Sequence, residues 1–399
     1  LNVESLNYNR YNNNIKMIKI IKIILILTLT LLFPLQKVFA NERIKIGLLV
    51  PLSGNNAEIG QSIIKATQIA INKIDNSLIE IIPRDTKSSP DVTLRSAKEL
   101  SQLGVKIIIG PVFNDSLIYL DELKEITFLS LTNKIIDNPK NVISAGINAS
   151  SQFKTIQKFI KINKIKKTIL LMPDVDYKNE IEKGITQSKI KIFKKYIYDP
   201  NPTKLTSQIE KITNYEKRKQ NLKDEIIRLE KSDENNKEIL IERLKKKDTI
   251  GKVKFDSIII TDFDESLKSV TTSLFYTDIS PKEKYFITLN QWFDESLLDE
   301  SSSQPIYFPS INRENYLYFI KEYHKKFNEY PNQLSFLSFD LVGLVYYLLF
   351  QNNLIIDKEI FIKKNMFKGK VGIFEIKNNK INHILNFYKI ENKKFKKIF

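Results

Sequence analysis

The chain has 399 residues, with 63 Lys and Arg against 46 Asp and Glu, a formal net charge of +17 and no cysteine. That length exceeds what one compact core usually holds, so two domains are expected. The missing thiols exclude disulfides, thiolate metal sites and a thiol nucleophile, and also the lipid-bearing cysteine of a bacterial lipoprotein. The positive charge raises nucleic acid as a partner, but the lysines are spread along the whole chain beside over-used Ile and Asn, as AT-rich codons favour. Neither an Arg-rich patch with interleaved aromatics nor a zinc motif stands out, so no nucleic-acid partner is expected. The charge predicts instead a loose attraction to anionic envelope surfaces.

The stretch from Leu1 to Asn14 is polar and patternless, and translation from Met17 is an alternative to Leu1 that would make residues 1–16 an upstream extension. Met17-Ile-Lys-Ile-Ile-Lys22 is a short basic run, Ile23 to Phe33 is apolar, Pro34 breaks it, and Val38-Phe39-Ala40 suits a signal peptidase. This is the three-part layout of a secretory signal. A membrane span needs about 20 apolar residues, so cleavage after Ala40 and release into the periplasm are expected, with no stable span afterwards and no lipid anchor.

Past Ala40, short apolar runs alternate with longer amphipathic ones. Ile44 to Val50 predicts a buried strand, and Glu58 to Asp75 a helix with Ile59, Ile63, Ala66, Ala70 and Ile74 on one face. Ile79 to Ile82 follows as a strand, Asp91 to Leu103 as a helix with Pro90 just outside its start, and Val105 to Ile109 as a strand closed by Gly110-Pro111. The alternation resumes at 151–163 (helix), 168–172 (strand), 178–188 (helix) and 191–198 (strand), then at 256–261, 266–276 and 284–289 as strand, helix, strand. Such alternation argues for parallel sheets with helices on both faces. The expected fold class is α/β, with two doubly wound, Rossmann-like units.

Leu205 to Lys247 interrupts the second unit. It is dense in charges of both signs, with a sparse apolar stripe of Ile209, Ile212, Leu222, Ile226, Leu229, Leu240 and Leu244, broken by the turn chemistry of 232–236. It predicts a projecting antiparallel pair of helices, or one long solvated helix followed by a disordered patch. Two more helices, 315–327 and 334–350, come next; the second is uncharged except at Asp340 and predicts a helix buried in the fold rather than a membrane span. Alternating strands at 369–376 and 382–388 flank the turn Lys377-Asn-Asn-Lys380, ahead of a basic tail.

Ile44-Lys-Ile-Gly-Leu-Leu-Val-Pro-Leu-Ser-Gly54, Gly60, Arg84-Asp85-Thr86, Ile107-Ile-Ile-Gly-Pro111, Leu170-Leu-Met-Pro-Asp174 with Tyr177, and Ser338-Phe-Asp340 resemble, in order and spacing, the leucine-binding-protein family of type I periplasmic binding proteins. Gly110-Pro-Val-Phe-Asn114, the charged insertion and Asn290-Gln-Trp-Phe293 are more similar to the branch called penicillin-binding protein activators. The resemblance implies two lobes joined by a three-strand hinge: a first lobe of 41–147 plus 312–352, and a second of 148–311 plus 366–399 carrying a helical hairpin at 205–247. Crossings would lie near 147–150, 305–311 and 353–365. It also implies a non-catalytic, cofactor-free exported protein, either a regulator of peptidoglycan synthesis with an envelope protein partner such as a peptidoglycan synthase, or the substrate-binding subunit of an ABC importer for an amino acid or other small polar solute.

The candidate pocket of such a fold lies where strand ends meet helix starts between the lobes. Ser53 and Gly54 open a turn whose N–H groups suit an anion, or are a plain cap. Asn114, Asp115 and Ser116 follow one strand, Thr132 and Asn133 the next, and the resemblance implies ligand contact there. Tyr177 matches a ligand-stacking tyrosine of the family, and Phe263, Gln291 and Trp292 end second-unit strands. Ile59 stands where amino-acid receptors place an aromatic, and Gln291 where they often place an acid, so an α-amino-acid clamp is incomplete. Asp340 is expected to satisfy backbone groups. Catalysis is not expected: His324 and His383 lie near no serine, acid pair or second His at ligand spacing, and no Gly-rich phosphate loop or Gly-x-Ser-x-Gly elbow occurs. N-terminal sequencing of the exported protein is expected to read from Asn41; any other start would move the cleavage site.

Overall fold

The computed structural model describes Met17 and residues 43–74, 78–370 and 372–399, so the expected leader and its cleavage site lie outside the described residues apart from Met17. From Ile44 onward the chain forms one unit. Its first sheet is built from apolar runs that read as continuous, not alternating. β1 (Ile44–Val50), β2 (Ile79–Asp85), β3 (Ile107–Ile109), β4 (Thr127–Ser130) and β5 (Val142–Ser144) lie in the order β2-β1-β3-β4-β5. All neighbours are parallel. A parallel sheet must be covered on both faces, which explains why Ile46, Leu49, Val50, Ile108 and Leu129 are all fully buried.

Helix α1 (Ala57–Ile74) and helix α2 (Pro90–Gln102) supply the cover. Pro90 is the first residue of α2 rather than a residue outside it, a position where its missing N–H has no intrahelical partner to lose. Gly60 is required on α1: a Cβ there would stand 1.7 Å from the Pro51 carbonyl oxygen. Two late helices complete this layer. α9 (Arg313–Phe327) and α10 (Gln333–Gln351) follow the second sheet in sequence yet return to α1. Ser62 and Ser335 approach to 2.7 Å between hydroxyls, and Thr67 and Ser338 to 3.1 Å. Small polar side chains let α1 and α10 pack closely while satisfying one another. α10 is the one described helix long and apolar enough to cross a membrane, and it is two-thirds buried within the fold. Asp340 accepts the Lys370 N–H at 2.7 Å, the backbone role expected for it.

The second sheet contains β6 (Thr168–Pro173), β7 (Lys194–Tyr198), β8 (Ser257–Ile260), β9 (Tyr285–Thr288), β10 (Ile306–Ser310), β14 (Asn386–Glu391) and β15 (Lys394–Lys397) in the order β15-β14-β10-β9-β8-β6-β7. The five central and far-edge strands are parallel, and β14 and β15 join antiparallel. Helix α3 (Ala149–Ile162) lies on it through Phe159, whose ring is 4.5 Å from Phe387, 5.1 Å from Tyr307 and 5.5 Å from Tyr285. α4 (Lys178–Ser188) packs beside α3, and Gly184 meets Ala149 where a Cβ would come within 2.5 Å.

The end of the chain departs from the expected pair of strands. β11 (Asn365–Lys368), β12 (Ile373–Lys377) and β13 (Lys380–Ile384) form a separate antiparallel sheet. Asn378 and Asn379, both with positive φ, make the two-residue hairpin turn between β12 and β13. The strand expected at 382–388 breaks at Leu385 because its halves serve different sheets.

The charged segment departs further. It holds three helices rather than a pair: α5 (Pro202–Thr213), α6 (Tyr215–Glu230) and α7 (Lys237–Lys245). α5 is an ordinary covering helix of the second sheet, with Leu205 and Ile209 in the continuous core. The projecting part starts after Asn214, which turns the chain in the left-handed region. Leu222 and Leu229 are buried but stand outside that core, and α7 buries no residue. Arg218 bolts the base: its guanidinium donates to the Thr213 carbonyl at 3.1 Å, to Thr249 Oγ1 at 2.8 Å and to the Thr277 carbonyl. The Ile250 N–H reaches the Arg218 carbonyl at 3.2 Å, so the two ends of the projection are adjacent. Replacing 220–247 by a short Gly/Ser linker is expected to cost about 1–2 kcal/mol, whereas replacing 205–247 removes two core side chains and is expected to cost about 4 kcal/mol or more. Urea midpoints of the two variants check this; equal losses would mean that α6 and α7 carry core packing after all.

Candidate functional site

A cavity of about 860 Å³ lies at the carboxyl ends of β3, β4, β5, β8 and β9. Helix-covered parallel sheets leave a crevice at that end, where the loops splay. Gly110 allows the first wall to form: its φ of +104° and the Leu49 carbonyl, 2.1 Å from where a Cβ would stand, admit no side chain. The loop after β3 then brings Phe113, Asn114 and Asp115 to the wall, and the loop after β4 brings Thr132, Asn133 and Lys134. From the second sheet come Phe263 after β8, and Gln291 and Trp292 after β9.

Seven of the eleven residues expected at the site therefore line one cavity. The other four do not, and each has a local reason. Ser53 gives its hydroxyl to Asp85 Oδ2 at 2.6 Å, and the Leu52 N–H goes to Asp85 Oδ1 at 2.8 Å, so the turn that includes Gly54 is closed by a carboxylate of the chain itself. Those hydrogen bonds hold the Asp85 carboxyl below its ordinary pKa against the opposing effect of burial. Ser116 is buried beneath its loop, away from the wall. Tyr177 turns to its own lobe, donating to the Thr261 carbonyl at 3.0 Å and Asp262 Oδ1 at 3.3 Å, with its ring edge-on to Phe263 at 6.0 Å. It braces a wall residue instead of forming the wall.

The cavity also has a floor and side that the sequence reading missed: Gln152 on α3, Arg313, Tyr316 and Ile320 on α9, and Leu334 and Leu337 on α10. Apolar positions on a helix read as core from periodicity alone. The turn after β9 carried a signal only the backbone reveals, because Trp292 (φ +48°) and Phe293 (φ +60°) are successive bulky residues in the left-handed region. Asn290 holds them there, its Oδ1 accepting the Trp292 N–H at 3.1 Å and the Ser310 hydroxyl at 2.7 Å. Strain of this kind, about 1–3 kcal/mol per residue, persists where surrounding contacts over-determine the backbone. Glu180 on α4 accepts the Ile135 N–H at 3.0–3.1 Å with both oxygens and the Ile136 N–H at 3.0 Å, tying the loop after β4 to the second sheet's layer.

Residues 43–215 match the family model described as periplasmic binding protein. A structure of a putative branched-chain amino acid ABC transporter from Rhodospirillum rubrum superposes with a TM-score of 0.68 at 12% identity, covering 89% of this chain and 100% of that one. Residues 43–215 thus carry the pattern of the periplasmic binding protein family, and the chain has that family's fold. The C-domain of LpoA (YraM) from Haemophilus influenzae, described as a regulator of PBP1A, is similar with a TM-score of 0.56 at 14% identity, covering 89% of this chain and 100% of that one. LivJ from Streptococcus pneumoniae, a branched-chain amino acid transporter substrate-binding protein in complex with isoleucine, is similar with a TM-score of 0.52 at 18% identity, covering 89% and 98%. At these identities the likeness establishes the fold. No curated protein matches the sequence.

The family is one of binding proteins, and among the described residues no cluster of His, Asp and Glu is arranged to hold a metal. The most perturbed acid near the cavity is Asp262, immediately before Phe263. Burial pushes its carboxyl up to about 6, opposed by the Tyr177 hydrogen bond, and its Oδ2 has no partner. Below about pH 4 the carboxyl is neutral in the folded and unfolded chains alike. Between about pH 4 and 6 the unfolded chain releases its proton first, so stability falls as pH rises and levels off above about 6. Asp262→Asn is therefore expected to stabilise the protein at pH 7.5, on the order of 2 kcal/mol, with the gain shrinking towards pH 4. Urea midpoints across that range read it, and a gain independent of pH would show that folding does not raise the Asp262 pKa.

Proposed function

We propose that this protein is an exported, non-catalytic regulator of peptidoglycan synthesis, acting outside the cytoplasm through an envelope protein partner in the manner suggested by the likeness to LpoA. The observation that carries the reading is the α6–α7 projection. It is anchored at its base by Arg218, adds nothing to the continuous core, and exposes Ile227 and Ile239 on the outside. Phe275 and Tyr276, at the end of α8 (Asp264–Tyr276), are also more than half exposed, and Tyr276 lies 5.5 Å from Tyr215 at the foot of the projection. A rigid arm with apolar residues at its tip and foot suits a protein partner better than it suits solvent. Under this reading the lobes at 41–147 plus 312–352 and 148–311 plus 366–399 form the platform, joined by three crossings.

A second reading, the substrate-binding subunit of an importer, is favoured by the cavity itself, which retains unpaired polar atoms on its wall, and by the likeness to LivJ. In that reading closure of the lobes on a solute about the crossings is the working motion. Pull-downs from envelope extracts of the native host separate the two. With 220–247 replaced by a Gly/Ser linker, a peptidoglycan synthase captured by the intact protein is expected to be lost. Retention of the synthase, together with a rise in Tm on adding leucine or isoleucine, would overturn the regulator reading in favour of the receptor.

A further inference from the structure

Most polar groups on the cavity wall are already engaged. Gln152 accepts the Asn290 N–H at 2.7 Å and donates to the Ile147 carbonyl at 3.2 Å. Gln291 donates to the Asp262 and Leu289 carbonyls, both at 3.3 Å. Asp294 takes both the N–H and the hydroxyl of Ser296. Two buried polar atoms on the wall are left over, the Arg313 Nε and the Asn114 Oδ1.

Arg313 is the more informative. It is the first residue of α9, and its backbone N–H donates to the Tyr388 hydroxyl at 3.0 Å, which fixes where its side chain starts. The guanidinium lies 5.1 Å from the Phe395 ring centroid and 5.9 Å from that of Phe293. Two rings therefore hold the charge in place by its attraction to their faces. Among the described residues it makes no ion pair and no side-chain hydrogen bond. A planar fork of donors that is positioned, partly desolvated and unpaired matches a carboxylate or another planar anion. The rest of the wall narrows the class. Asp115, Asp264, Asp294 and Glu295 line the same cavity against Lys134 and Arg313, which repels a multiply charged anion. Ile147, Trp292, Tyr316, Ile320, Leu334 and Leu337 offer an apolar bed larger than a single methyl or ethyl group fills.

We propose that the cavity takes a monocarboxylate with an apolar, ring-sized body, its carboxylate paired with Arg313. The proposal rests on the chain being a binding protein, and it holds whether the protein's partner is a synthase or an importer.

The test is calorimetric titration of the exported full chain with 4-phenylbutyrate, 4-phenylbutyramide, L-phenylalanine and phenyl phosphate. The acid is expected to bind at least ten-fold more tightly than its amide and than phenyl phosphate, with no advantage to phenylalanine. Arg313→Gln should weaken the acid at least ten-fold and leave the amide unchanged, while Arg313→Lys, which keeps the charge but not the fork, recovers part of the loss. Thermal unfolding of both variants checks that they fold. Equal affinity of Arg313→Gln and the native protein for the acid, or preference for phenylalanine or phenyl phosphate, would overturn the ligand class while leaving a binding protein in place. Failure of all four probes at millimolar concentration would overturn both the class and the cleft as a small-molecule site, and leaves the pull-down as the separate test of the regulator reading.

Discussion

The two sheets depend on a short segment of chain, 145–152, whose polar groups are all drawn inward. Asn148 caps α3, its Oδ1 accepting the Ser151 N–H at 2.9 Å, and its Nδ2 reaches the Ile381 carbonyl at 3.3 Å. The Ser151 hydroxyl accepts the His383 N–H at 3.0 Å, and the His383 ring meets the Ala145 carbonyl at 2.8 Å through Nε2. Gln152 reaches across to the backbone of Asn290. A segment that runs from the end of a strand into the first turn of a helix has few ladder or helix partners for its backbone groups, and buried N–H and C=O groups must still be paired. The His383 ring supplies one such partner, and Asn148 and Ser151 in return pair backbone groups of β13, which holds that strand against this crossing. Burial pushes the His383 imidazole down to about 4, opposed by its carbonyl partners, so near neutral pH it acts as a neutral donor.

That arrangement borders the cavity. The loops after β3, β4, β8 and β9 line one crevice beside this crossing. Asn290 shows how tightly they are committed. Its N–H is held by Gln152 and its side chain by Trp292 and Ser310, so the left-handed turn at Trp292 and Phe293 is set by the crossing itself. The lining is thus preorganised, and an occupant need not supply the cost of ordering it.

How much of this was legible in the sequence follows from the range of the interactions involved. Strands such as Ile44–Val50 and Thr168–Pro173 were readable because a doubly covered parallel strand is apolar throughout, a local property. Helix α4 was readable to the residue from its periodicity. The loops after β3, β4, β8 and β9 were readable as walls because strand ends in such folds converge. Ser53 was not, since the carboxylate that occupies it lies on β2, more than thirty residues away. Nor was Arg313, because an arginine opening a helix reads as surface until Phe293 and Phe395 are seen around it. The charged segment misled for the opposite reason. Its composition is uniform from α5 to α7, and the boundary between core helix and projection is marked only by Asn214 and by the three contacts of Arg218.

Arg313 also ties the cavity to the second sheet. It stands directly after β10, where the chain leaves the second sheet for α9, with its N–H on Tyr388 of β14 and its helix packed towards α1. An anion bound there touches the element that runs from the second sheet to the helix layer of the first. A ligand shifts the balance between lobe arrangements only by its differential affinity for them. A residue fixed to the second sheet by its backbone and its aromatic neighbours, and lining a cavity shared with the loops of the first, is placed to generate such a difference. A ligand held solely by the loop after β3 would move with the first lobe in every arrangement and could report nothing to the second.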